Sequence, residues 1–187
     1  MNIGLVGEAP NDTEAIKNLL SRKYSSTVYE FYPLLNNIHG SQLDNQKTKR
    51  FLRIEYESRK PNVVIFIRDL DGTIRNNTTL NDRKEYFKTL NNVVNKKGVF
   101  LLNIFEIEAL IISDIETFNK KFGCQLIYED NPMEIENPKE DLKKKCHHFK
   151  ESLNPEIFKL LRFEIVKQNC IYFKEFILEL ERIINTN

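Results

Sequence analysis

Val63-Val64-Ile65-Phe66-Ile67-Arg68-Asp69-Leu70-Asp71-Gly72 is an apolar run that ends in two aspartates one residue apart. Its β-branched and aromatic content predicts a buried strand over Val63–Arg68, and the glycine marks where the strand gives way to a turn. Side chains along a strand alternate faces, so Asp69 and Asp71 are expected on one side, at the point where the strand meets solvent. Like charges that close repel unless a cation or a proton neutralises them, and the pair reads as a divalent-metal site.

Working outward, the chain before the run holds two strand-helix units. Ile3–Val6 predicts a first strand, broken by Gly7-Glu8-Ala9-Pro10, and a helix is expected from Asn11, where Asn11 and Glu14 have capping-box spacing. Thr27–Leu35 predicts a second strand, and Ser41 is placed to cap a helix running to about Arg59. After Gly72, Thr79 and Asp82 have cap spacing, and Tyr86, Phe87, Leu90, Val93 and Val94 recur at helical intervals. Val99–Phe105 predicts a fourth strand, with a helix following from Glu106 to about Asp114. Four alternations of strand and helix predict an α/β fold of Rossmann-like type with a mainly parallel four-stranded sheet, covering residues 1–120. Residues 121–187 predict a helical extension packed on the same domain, with Asn137-Pro138 and Asn154-Pro155 as helix starts and an amphipathic stretch over Ile171–Ile184.

The 187 residues suit one domain, and 41% hydrophobic with 29% charged residues is an ordinary globular composition. A formal net charge of +1 argues against a protein that coats nucleic acid nonspecifically. No charged leader or long apolar run is visible at the N-terminus, so a cytoplasmic protein without membrane association is expected. Three widely spaced cysteines, Cys124, Cys146 and Cys170, fit reduced thiols better than a disulfide framework.

In an open parallel sheet, ligands bind beyond the carboxyl ends of the strands. Glu8 falls there after strand one, Asp69 and Asp71 after strand three, and Glu106 or Glu108 after strand four. Hard oxygen donors of this kind favour Mg²⁺ or Mn²⁺ over zinc. Asp12 is either a further ligand or a first-turn acid favoured by the helix macrodipole.

Gly4-Leu5-Val6-Gly7-Glu8 with Asp12, followed by Asp69-Leu70-Asp71, resembles a TOPRIM domain, the fold of primases, topoisomerases and the overcoming-lysogenization-defect nucleases. Phe105-Glu106-Ile107-Glu108-Ala109-Leu110-Ile111-Ile112-Ser113-Asp114 resembles the acidic-aliphatic helix of small stand-alone TOPRIM proteins of bacteria. Asn137-Pro138-Lys139 and Cys170-Ile171-Tyr172-Phe173-Lys174-Glu175-Phe176 add to the likeness. The resemblance implies a metal-dependent nuclease acting on DNA or RNA in bacterial anti-phage defence, with an ATPase as a possible partner protein and homo-oligomers possible. It assigns metal binding and general acid/base work to Glu8, metal binding to Asp69 and Asp71, a second-metal role to Asp12, metal binding to Glu108, and assistance at the scissile phosphate to Lys139. No phosphate loop of the Gly-x4-Gly-Lys-Ser/Thr type occurs, so ATP hydrolysis would have to come from the partner.

Two rivals stand beside it. Val64 to Ile74 also resembles the first motif of haloacid dehalogenase-type phosphatases, with Asp69 as nucleophile and Asp71 as acid/base beside one Mg²⁺. That motif should open its fold, whereas here two strand-helix units precede it. The other rival is a non-catalytic interaction module. Cys146-His147-His148 does not have zinc-site spacing and reads as a surface helix position. His39 reads as a loop residue, Lys47, Lys49, Arg50 and Arg53 as a solvated mixed-charge helix face, and Phe158, Phe163, Phe173 and Phe176 as core or a dimer contact.

Overall fold

The computed structural model describes residues 1–35, 42, 43 and 45–186. His39, Ser41 and Asp44 lie outside the described residues. Strands β1 (Asn2–Val6), β2 (Glu30–Pro33), β3 (Val63–Asp69) and β4 (Gly98–Asn103) form one sheet in the order β2-β1-β3-β4, with every neighbouring pair parallel. Helices α1 (Pro10–Leu20), α2 (Gln46–Arg59) and α3 (Asn77–Val93) are the crossovers between consecutive strands. After β4 come α4 (Ala109–Ile112), α5 (Ile115–Phe122), α6 (Pro138–Lys145), α7 (Asn154–Phe158), α8 (Phe163–Asn169) and α9 (Ile171–Thr186). The α/β class, the all-parallel sheet and the helical C-terminal region agree with the reading of the sequence, and no described helix is long and apolar enough to cross a membrane.

Strand alternation sorts the core into two layers. Ile3, Leu5, Val63, Ile65, Ile67, Val99 and Leu101 face α1 and the C-terminal helices, where Ile16, Leu19, Phe158, Phe173, Ile177 and Leu180 are buried against them. Val6, Val64 and Phe66 face α2 and α3, packing on Leu52, Tyr56 and Leu90. Parallel strands covered on both faces need apolar side chains at nearly every position, which is why β3 reads as an unbroken apolar run. The tail phenylalanines named above are all core residues. Gly4 answers a close approach, since a Cβ there would stand 2.5 Å from Leu34 Cδ1.

Several local expectations are corrected. β2 is shorter than Thr27–Leu35, because residues 26–28 form a turn in which Val28 N–H donates to Ser25 O. The α1 N-cap is Ala9, without a side-chain cap, and Pro10 starts the helix; Glu14 pairs with Lys17 instead of reaching back to Asn11. Asn45 caps α2 and Asn76 caps α3, accepting from the Thr79 N–H, so Thr79 lies inside its helix. β4 ends at Asn103, two residues early, because Phe105 sits in the left-handed region at φ 57°. α4 begins only at Ala109, and Asn154 is the first residue of α7, with Leu153 at its N-cap.

The order β2-β1-β3-β4 has one consequence for function. The crossover from β1 leads to one edge of the sheet and that from β3 to the other, so the loops after these adjacent strands diverge. The crevice they leave, at the carboxyl ends of β1 and β3, is the topological switch point where open α/β sheets take their ligands.

Candidate metal centre

Glu8 leaves β1 at this crevice, and Asp69 is the last residue of β3. Asp12 lies in the first turn of α1. Glu108, 2% exposed, precedes α4. Asp12 and Asp69 feel other acids of this group. Asp12 is pushed from its ordinary 3.8 up to about 7, first by burial and then by the charges of Glu108, Glu8 and Glu151, with Lys139 opposing. Asp69 lies well above the ordinary range, again through burial first and then Asp12, against the opposing hydrogen bond from Asn103. Burial also raises Glu8 and Glu108. Charge crowded into a crevice of low polarity is the electrostatic signature that active sites share.

The neighbouring groups divide by the face of the sheet they come from. On the α3 side, Arg68 Nε stands 2.8 Å from Glu8 Oε1, with its guanidinium 4.2 Å from the centre of the Tyr86 ring. Arg83 bonds Asp71 Oδ2 at 2.8 Å and, through Nε, the Asp69 carbonyl oxygen at 3.0 Å. On the α1 side, the supports are mostly neutral. Asn103, which lies opposite Asp69 in the β3-β4 register, donates from Nδ2 to Asp69 Oδ1 at 2.9 Å. Asn154 Nδ2 donates to Glu108 Oε1 at 2.9 Å. Lys139 Nζ is held 2.9 Å from Glu106 Oε1 and 4.0 Å from Glu151 Oε2, while the Lys139 backbone N–H bonds Glu106 Oε2 at 3.1 Å. Although burial lowers the Lys139 pKa, the bond and charge of Glu106 raise it more, so the amine stays protonated.

Asp71 departs from expectation. It has φ 56°, its N–H donates to Phe105 O, and its side chain is 61% exposed. The alternation that would place it beside Asp69 holds only in an extended strand, and β3 stops at Asp69. The structure therefore gathers Glu8, Asp12, Asp69 and Glu108 at the crevice, with Lys139 at its margin, and turns Asp71 outward. Reading the sequence missed Arg68, Asn103 and Asn154. A lone arginine inside an apolar strand was a signal that a buried acid waited opposite, whereas Asn154 looked like a helix cap.

Among the described residues, no group of three or more His, Cys, Asp or Glu side chains is positioned to hold a metal ion as it stands. The donor chemistry of Asp12, Asp69 and Glu108 nevertheless fits a hard divalent ion: all are carboxylates, and each is held above its ordinary pKa by burial and by other acids. Glu8 fits less directly because Arg68 pairs with it, and the Asp71 side chain is exposed and paired with Arg83, although its charge still helps raise Glu8. Cys146 is buried, not a surface residue, whereas His147 and His148 after it are exposed. No family model, no curated protein and no solved structure matches the chain.

Proposed function

We propose that this protein is a divalent-metal-dependent hydrolase of phosphodiester bonds in nucleic acid, built on the TOPRIM plan. The observation that carries this reading is the placement of Asp12, Asp69 and Glu108 by the switch point between β1 and β3, where burial raises all three and the charges of Asp12 and Glu108 add to the rise of Asp69. These three residues would hold Mg²⁺ or Mn²⁺, and the ion would supply Lewis-acid polarisation of a phosphate oxygen. Lys139, protonated and fixed by Glu106, offers a cation to a non-bridging phosphate oxygen. Glu8, raised by burial and steadied by Arg68, is suited to accept the proton of an attacking water and return it to the leaving group. Asp71 with Arg83 sits at the mouth of the crevice as an exposed ion pair, outside the reacting groups.

The phosphatase reading is less well supported. It needs the second aspartate beside the first as acid/base, and Asp71 is turned away into its pair with Arg83. The test is a Mn²⁺ titration followed by electron paramagnetic resonance, run beside cleavage assays on labelled single- and double-stranded DNA and RNA. Binding and cleavage that are both lost in Asp69→Asn and in Asp12→Asn are expected. Absence of Mn²⁺ binding, or a covalent aspartyl-phosphate formed from phosphomonoesters, would overturn the proposal.

A further inference from the structure

The three cysteines are not equivalent. Cys170 is buried beneath α9, with its sulfur 3.5 Å from Met133 Sδ and accepting the Phe173 N–H. Cys124 and Cys146 face each other instead, with sulfurs 3.1 Å apart. Cys124 follows Gly123, the left-handed residue that ends α5, and is half-buried. Cys146 is 2% exposed and closes α6, its N–H bonded to Leu142 O. Both sulfurs are thus carried on helix ends whose backbone is anchored, and a disulfide requires them to approach by only about 1 Å more, within reach of small side-chain rotations.

Access is one-sided. A small disulfide can reach Cys124 but not Cys146, so the order of events follows from burial.

We infer that Cys124 and Cys146 form a dedicated intramolecular disulfide site, closed by exchange with a low-molecular-weight disulfide such as oxidised glutathione. In the first step the Cys124 thiolate, a minor species because the hydrogen bond with Cys146 and burial raise the thiol to about 11, attacks one glutathione sulfur and expels the other as a thiolate, which takes up a proton to give reduced glutathione. In the second the Cys146 thiolate attacks Cys124 Sγ in the resulting mixed disulfide, forming the Cys124–Cys146 bond and expelling the second glutathione. The glutathione disulfide is reduced by two electrons and the two protein thiols are oxidised by two. This bond closes residues 124–146, a loop that includes α6 and holds the Tyr128–Asp141 hydrogen bond. Crosslinking that loop restricts the unfolded chain more than the folded one, where the two sulfurs are already neighbours.

The site is tested on the wild-type chain by incubation with oxidised glutathione, alkylation of the remaining thiols under denaturing conditions, and tryptic mass spectrometry. The expected product loses two hydrogens, joins the peptide 122–139 to the peptide 146–150, and leaves Cys170 alkylated. Its thermal midpoint should rise by roughly 5 to 10 °C over the reduced chain and return on treatment with dithiothreitol. Retention of all three free thiols, a mixed disulfide that persists on Cys124, or linkage through Cys170 would each overturn the inference. None of these outcomes depends on metal binding or nuclease activity.

Discussion

The two sides of the crevice handle negative charge in opposite ways. Toward α3, each acid has its own arginine: Glu8 with Arg68, and Asp71 with Arg83. Toward α1 and the C-terminal helices, Asp12, Asp69 and Glu108 crowd together, and the groups that hold them, Asn103 and Asn154, are uncharged. The first side supplies each acid with a cation within the protein. The second relies on neutral donors with Lys139 opposing its charge, and burying carboxylates so held costs stability. A region that stores such unfavourable energy is where a ligand of opposite charge gains most, and under the proposed function the ligand side is α1 and the structural side is α3.

The sharpest way to break this comparison is Asp69→Asn. Under the proposed function, cleavage should fall by about three orders of magnitude or more, while the urea midpoint holds or rises, because the change removes a carboxyl group whose ionisation is opposed by burial and by Asp12. Loss of both activity and stability would mean that Asp69 serves the fold.

Asp12 gives the next largest effect, through pH. Its folded pKa, about 7, lies above its ordinary 3.8, so the folded chain holds a proton that the unfolded chain has released. Stability is therefore expected to decrease as pH rises from about 4 to about 7, by at most about 4 kcal/mol from this residue. Unfolding curves of wild type and Asp12→Asn over that range should diverge, the variant showing the flatter profile. Added Mg²⁺ should stabilise the wild type more at pH 7.5 than at pH 5. Equal slopes for the two chains would remove Asp12 from the cluster.

Asn154→Ala ranks third. Without the Asn154 amide, Glu108 loses its neutral donor, and the expected cost is about 1 to 3 kcal/mol, read from the urea midpoint. The smallest effect belongs to the paired side. Asp71→Asn keeps a residue type that tolerates the left-handed backbone and removes an ion pair whose acid is exposed, together with a charge that helps raise Glu8, so a change within about 1 kcal/mol and near-normal cleavage are expected. A large loss of cleavage in this variant would restore Asp71 to the reacting groups and reverse the assignment of the two sides.

How far the site could be read in the sequence depended on how local the deciding interaction was. Asp69 was legible because an unbroken apolar run locates the end of a buried strand, and Glu8 because Gly7 and Pro10 mark the break after β1. Asp71 was misplaced by the same reasoning carried two residues too far. Its left-handed backbone is joined by one hydrogen bond, from the Asp71 N–H, to Phe105 O in the loop after another strand, and no local pattern reports that contact. Asn154 illustrates the same limit. Its place before Pro155 suggested a cap, but its amide serves Glu108, 46 residues away.

What the chain determined by itself is therefore periodic: four strands, the helices between them, a parallel sheet, and the acids at the strand ends. Each follows from local geometry, because side chains alternate along a strand and recur every three to four residues on a helix. Tertiary structure alone decided which acids meet, which are neutralised, and which cysteines face each other. Those outcomes depend on strand order and on loops from distant parts of the chain, and electrostatic coupling follows distance in space, not separation in sequence.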